Sequence, residues 1–421
     1  MTGRRHLPAV LLLAAGAVAV LGAVLVAGIL WTRAAPGDPR TGVFWAFGVA
    51  LGFVLQRSRF CFASAFRDLF LFGSGRIMRG ILAGLAVASA GFAVLMWRLV
   101  PDPTLGIVAP EAHAVPLGIH LVLGGVLFGI GMVLAGGCVS GSLYRIGEGY
   151  VASAVALAGI LAGLAAGAHS WNFWWRASIG RGPVVWLPAA GGYVTGIAVT
   201  FALLSVAYVL VVWREARAGL PAAPLPGAAP SPAAPRPAAT ASGQGVSDRL
   251  AAALAAVLVR GWSPTAGGVA LGVLNVWLYL AHMPWGVTGE LSRWAIGVLE
   301  LAGVGPGPLQ GAGTLSGCAL VGTRGPWISH TLTLDVGMVA GALAGALLAG
   351  EFRIRRPAQR RRYVQALAGG VAMGYGASLA MGCTVGAFFS AIPSLALNGW
   401  VFAAALALGA RLGVSVIRRM P

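Results

Sequence analysis

Long apolar runs separated by short turns constrain this chain more than any other feature. A bilayer core about 30 Å thick is crossed by about 20 apolar residues in a helix. Lipid offers the backbone no hydrogen-bond partner, so only helices or closed barrels can span it. Runs of this kind lie at about 41–56, 77–99, 117–135, 150–169 and 187–213, then at 265–283, 330–350, 363–381 and 395–416. Nothing alternates over ten residues as a barrel strand requires. The expected fold is therefore all-α, a polytopic helical membrane protein. Composition agrees: of 421 residues, 58% are apolar and 10% charged, against about 25% charged in soluble domains. That excludes a soluble enzyme, a disordered chain and a disulfide-rich secreted module. Met1–Trp31 adds Arg4, Arg5 and about 24 apolar residues. This is longer than a signal-peptide core and predicts a retained extra helix within 1–40.

Residues 214–249 break the pattern with a Pro/Ala-rich stretch, a semi-extended linker. It separates a first half, 41–213, from a second, 250–421. The halves repeat: GGVLFGIGMVLAGGCVSG (124–141) aligns without gaps to GGVAMGYGASLAMGCTVG (369–386), with ten identities in 18. All 29 basic residues are Arg, and Arg marks cytoplasmic loops. Clusters at Arg76/Arg79, Arg214/Arg217, Arg353–Arg362 and Arg418/Arg419 place the linker and C-terminus inside. The acidic loop with Asp102 and Glu111, and the Trp-rich loop 171–186, then lie outside. With these assignments the repeated motif enters the membrane in opposite senses. That is an inverted-topology repeat, which places a transporter's site near the midplane. The net charge of +18 is spent on orientation, and no solvated basic face exists to bind nucleic acid.

Between the spans lie segments too short or too polar to cross: 57–73, 136–149, 308–324 and 383–392. They read as short re-entrant helices, and each holds one of the four cysteines, Cys61, Cys138, Cys318 and Cys383. Gly136–Gly137 and Gly382 break the helix just before Cys138 and Cys383. Irregular backbone at such depth is tolerated only where it is buried in protein or lines a cavity. A half-helix starting there turns its free N–H groups and positive end toward the path and attracts anions. Two readings of such a cysteine compete: a small side chain filling a tight crossing, or a soft lining of the path. By repeat symmetry Cys61 pairs with Cys318, the first toward the inside end and the second toward the outside. Arg57 and Arg59 read as snorkelling edge residues, and Arg67 as a partner of Asp68. His330 and Asp335 read as capping or interfacial. Arg145 and Arg324 flank Cys138 and Cys318 as charges available to an anion. No nucleotide, nucleophile-elbow or metal motif is present, and no cofactor is expected.

LQRSRFCFASAFRD, GGVLFGIGMVLAGGCVSGSLYRIGEG, LSGCALVGTRGPW and GGVAMGYGASLAMGCTVGAFFSAIPSLALNGW together resemble the YeeE/YedE sulfur-transport family. The resemblance implies an inner-membrane importer of thiosulfate or a related small sulfur anion. It implies an hourglass of inverted repeats in which neutral Cys61, Cys138 and Cys383 pass the anion by S–H···S bonds, with Cys318 the fourth family cysteine. Substrate contacts would come from these four with Gly137, Gly382, Arg145 and Arg324. The partners implied are membrane lipids and a small cytoplasmic sulfur-carrier protein. The alternative is a membrane thiol enzyme that loads sulfane sulfur on a cysteine as a persulfide. No cysteine has a His or Lys within seven residues, which argues against a low-pKa nucleophile.

Overall fold

The computed structural model describes residues 7–34, 40–219, 254–315 and 328–419. The helices are α1 (Leu7–Ala34), α2 (Thr41–Ser58), α3 (Phe62–Leu71), α4 (Arg76–Leu99), α5 (Ile119–Ala135), α6 (Val139–Gly147), α7 (Val151–Ala177) and α8 (Gly192–Arg217). Then come α9 (Pro264–Ala281), α10 (Thr288–Leu301), α11 (His330–Leu348), α12 (Arg361–Leu379), a π-helical segment Thr384–Ser390, and α13 (Leu397–Arg419). Apart from two isolated bridges, no strand occurs among the described residues. Seven helical stretches there are long and apolar enough to cross a membrane, and α12 with the π segment forms an eighth, bent by 48°. Every apolar run read from the sequence falls on a helix, but the one at 41–56, on α2, is not among these spanning stretches. The protein is a polytopic helical membrane protein.

Two differences from the sequence reading are local. The Trp-rich stretch is not a loop throughout, because α7 continues through Trp171, Trp174 and Trp175 to Ala177. A re-entrant helix also went unread: α10 carries Glu290, Arg293 and Glu300, so its sequence lacks a span's apolarity. Most of the linker, 220–249, lies outside the described residues.

The helices are held by backbone contact. Lipid is as apolar as any side chain, so helices associate by close packing at small residues. A Cβ on Gly124 would stand 2.7 Å from the Gly376 carbonyl oxygen, and one on Gly369 2.7 Å from that of Gly131. Gly369 and Gly376 are the repeat images of Gly124 and Gly131, so the two contacts are images of each other. α5 and α12 therefore lie antiparallel, back to back on the repeat axis. The relation extends outward. Gly337 on α11 would meet Gly48 of α2, and Gly272 on α9 would meet Gly84 of α4, each at 3.2 Å from the Cα. Gly129 faces Leu406 and Ala410 of α13, while its image Gly374 faces Ile160 and Leu164 of α7. Thus α2 through α7 correspond to α9 through α13, with α3 matching α10 and α6 matching the π segment.

This order corrects the cysteine pairing. The counterpart of Cys61, at the start of α3, is the turn Trp285–Val287 before α10. Cys318 follows α10 in the chain and itself lies outside the described residues.

A charged layer ties the halves together at the far end of α2. Arg57 is 2% exposed, not a snorkelling edge residue. It meets Glu351 at 2.8 Å and donates to the Val259 carbonyl at 2.7 Å. Arg59 and Gln56 each reach Glu351 at 3.0 Å. Burial pushes the Glu351 carboxyl up, but the charges and hydrogen bonds of Arg57 and Arg59 outweigh it and hold it below the usual range. Arg67 does meet Asp68, at 2.9 Å.

Two expectations follow. Replacing Gly376 with Leu forces backbone apart, a cost of about 1–3 kcal/mol or more. It should lower the thermal midpoint of the purified chain, whereas Gly22→Leu, with nothing within 4 Å, should leave it unchanged. A carboxyl held low in the fold stabilises above its ordinary range, about 4.3, and loses that contribution as pH falls through it. Thermal midpoints should therefore drop on acidification below that range. Glu351→Gln should be less stable at pH 7 and show a shallower acid loss; equal acid profiles would refute the assignment.

Candidate functional site

Three cysteines share one local design. A helix ends, a residue turns left-handed, and two positions later a cysteine in extended backbone opens a short helix. Arg59 has φ 48°, Gly136 φ 76° and Met381 φ 55°, and each stands two residues before Cys61, Cys138 or Cys383 in turn. Gly136 adopts this conformation freely. At Arg59 and Met381 it costs about 1–2 kcal/mol, a strain the surrounding packing has to hold. Cys61 (φ −142°) precedes α3, Cys138 (φ −82°, ψ −176°) precedes α6, and Cys383 (φ −100°, ψ −170°) precedes the π segment. The helix expected after Cys383 is thus a wider π turn.

All three thiols are buried. Cys61 lies beside Cys138 rather than toward one end, and the two thiols interact. A Cβ on Gly141 would stand 3.2 Å from both sulfurs, so this glycine makes the room in which they meet. Cys138 also caps its helix, accepting from Gly141 N–H at 3.3 Å, whereas Cys61 heads α3 without a side-chain cap. Cys138 contacts Ser140 Oγ at 3.4 Å and Thr384, the residue after Cys383. The second half thereby reaches the pair.

Arg145 supplies the charge. Its guanidinium folds back over the break and donates to the Gly136 carbonyl. Its Nη1 lies 3.4 Å from where a Gly137 Cβ would stand, so the guanidinium covers this break. Its guanidinium carbon lies 5.9 Å from the rings of Tyr144 and Tyr150, and its charge acts on both Cys61 and Cys138. Rings close the other side. Phe62 packs edge-on against Phe389 at 5.4 Å and Phe60 at 5.5 Å. Asn275 pins the π segment, donating to Ser390 Oγ at 3.2 Å while accepting from Trp285 N at 2.8 Å.

Sequence reasoning passed over His113. Its ring carbon Cε1 would be 3.2 Å from a Cβ on Gly382, so Gly382 is small where His113 covers the Cys383 break. Burial pushes this loop histidine down to about 4, which leaves it neutral at pH 7. Nothing in the sequence marks it, because the contact joins residues 269 positions apart. Cys318 and Arg324 lie outside the described residues. The remaining predicted residues, Cys61, Cys138, Cys383, Gly137, Gly382 and Arg145, are gathered around three helix breaks, with Cys61 beside Cys138 and Thr384 of the third break against Cys138.

Such a site offers soft, weak S–H donors, hydroxyls and backbone N–H groups beside one buried cation, and it suits a small anion with a polarizable atom. The Cys61–Cys138 pair should bind one mercuric ion per chain, consuming two thiols by intact mass and thiol titration. Cys61→Ala should abolish this and Cys383→Ala should not. Unchanged stoichiometry in Cys61→Ala would contradict the pairing.

Comparison with known proteins adds to this geometry. A family model described as sulphur transport matches residues 57–412. The chain is 30% identical over 368 residues to thiosulfate transporter TsuA of Spirochaeta thermophila, covering 86% of this chain and 94% of that protein. To thiosulfate transporter TsuA of Escherichia coli it is 27% identical over 385 residues, covering 86% and 90%. To the probable transporter YedE of Salmonella typhimurium it is 39% identical over 157 residues, a match that spans only 38% of that protein.

Proposed function

The chain belongs to the sulphur transport family, and on that premise we propose that it imports thiosulfate or a related small sulfur anion past Cys61, Cys138 and Cys383. The observation that carries this reading is the Cys61–Cys138 pair, set at a helix break with Arg145 behind it. The names of the two TsuA relatives, similar over 86% of this chain, support the cargo.

Thiosulfate is a dianion with a soft terminal sulfur. Thiolates would repel it, so the thiols work as neutral S–H donors, the form an apolar surrounding favours. Cys138 and Cys61 donate to the soft sulfur in turn. The hydroxyls of Ser140 and Thr384 are placed to donate to the oxygens. Arg145 offsets charge without a fixed pair, because its guanidinium is already bonded to the Gly136 carbonyl. Conduction needs binding strong enough for entry and weak enough for exit. Thiol hydrogen bonds, being weak, meet the second condition. Cys383, across the facing break, is the next station, with neutral His113 beside it. The site residues Gly137 and Gly382 keep both breaks narrow.

In this reading the chain sits in a bacterial inner membrane with the linker and C-terminus cytoplasmic, and hands its cargo to a small sulfur-carrier protein. The enzyme alternative has less support: no histidine bonds to Cys61 or Cys138 among the described contacts, so a base for persulfide chemistry is not at hand.

The test is uptake of labelled thiosulfate by liposomes holding the purified chain. Cys138→Ala with Cys383→Ala should reduce uptake about tenfold or more. Gly141→Ala, whose methyl would stand 3.2 Å from both sulfurs, should do the same without unfolding the protein. Normal uptake by either variant would remove these residues from the path.

A further inference from the structure

A second titratable cluster lies outside the thiol site, where α10 meets α11. Asp335 is 3% exposed, and neither carboxyl oxygen has a hydrogen-bond partner among the described residues. Capping, the role read from the sequence, belongs to Ser329, which accepts from Leu332 N at 3.0 Å. The charge that acts on Asp335 is Glu290, and Glu290 is already served. Arg293 pairs with it, and Ser329 and Thr331 donate to its Oε2 at 2.7 Å each. The donors of this cluster converge on one carboxylate and leave the other with none. A buried carboxylate without donors is costly, and a neighbouring like charge adds to the cost.

The other groups near Asp335 are few. Its own helix carries His330, five residues back, whose ring lies 6.3 Å from that of His282 in the turn after α9. α2 brings Phe44, stacked on His330 at 5.2 Å, and Trp45. α1 brings Trp31, bonded to Thr333. α6 packs further along, Gly147 facing Val339 and Leu343, with Arg145 and Glu148 on either side of that glycine in sequence. So α11 touches both α2, which leads into Cys61, and α6, which Cys138 opens. Ionisable groups at membrane depth mark ion and proton pathways.

We propose that Asp335 is a proton-binding site that couples cargo passage to proton entry, each anion moving with a proton carried at this carboxyl. This rests on the transport reading above. An anion entering a negative interior requires compensating positive charge, and a carboxyl that takes and yields one proton supplies one unit of it per cycle, leaving one of a dianion's two charges to be carried inward. The coupling would run through α11, whose packing against α2 and α6 changes as the thiol pair fills and empties.

The experiment has two arms on the full chain in liposomes. In the first, a pH-sensitive dye is enclosed and thiosulfate is added outside. Wild type should acidify the lumen as it takes up thiosulfate, and uptake should rise as outside pH falls. Asp335→Asn should lose the acidification and the pH dependence while still exchanging labelled thiosulfate. Asp335→Glu should restore acidification. Uptake without acidification, or dependent on sodium instead, overturns the proposal, as does an unchanged pH profile in Asp335→Asn. The second arm needs neither variant nor cargo. Dicyclohexylcarbodiimide, which attacks protonated carboxyls from the lipid, should label Asp335 in wild type by peptide mass spectrometry, and less at high pH. No labelling of Asp335 at any pH overturns the proposal. Labelling in a chain that moves no thiosulfate would instead count against the cargo.

Discussion

Everything in this protein depends on two helices touching backbone to backbone. α5 and α12 approach so closely at Gly124, Gly131, Gly369 and Gly376 that a single methyl would stand within 2.7 Å of a carbonyl oxygen or backbone nitrogen at each. Between helices in lipid, such packing replaces the hydrophobic effect as the source of association. The contact does more than hold. It is antiparallel and nearly symmetric, so it fixes the two helix ends, Ala135 and Leu379, and therefore the breaks that follow them.

Those two breaks, with a third between α2 and α3, turn a scaffold into a site. In each, a left-handed residue two positions before the cysteine swings the chain and leaves the thiol at the head of a short helix. Two of these three residues, Arg59 and Met381, are not glycine and hold a conformation that side chains resist. Strain of this kind persists where packing over-determines it, and it clusters at functional positions. Backbone N–H groups, two adjacent sulfurs and the Arg145 guanidinium then meet in a space kept open by Gly141. Covering histidine and phenylalanine rings close it from water.

Much of this was legible in the residues. Apolar runs gave the spans, the 245-residue offset of the Gly–Cys motif gave the repeat, and glycine next to cysteine gave the breaks. What escaped depends on contacts that no local pattern encodes. Helix α10 is buried through an ion pair, Glu290–Arg293, so its sequence reads as polar. Arg57 looked like an edge residue because its partner, Glu351, lies 294 positions away. Spacing puts Cys61 at one end because it cannot show that α3 starts beside α6. Spacing alone pairs Cys318 with it, whereas the helix order puts the turn before α10 in that place. His113 and Asp335 bear nothing local that distinguishes a loop or cap residue from a buried one.

The account turns on an anion meeting the Cys61–Cys138 pair, and competitive alkylation tests that most directly. A small maleimide is applied to the purified wild-type chain, and modification of Cys138 is followed by peptide mass spectrometry. Thiosulfate should slow the labelling of Cys138 in a saturable way while sulfate, which lacks the soft sulfur, should not. Equal rates with and without thiosulfate would contradict the claim that the anion passes this thiol.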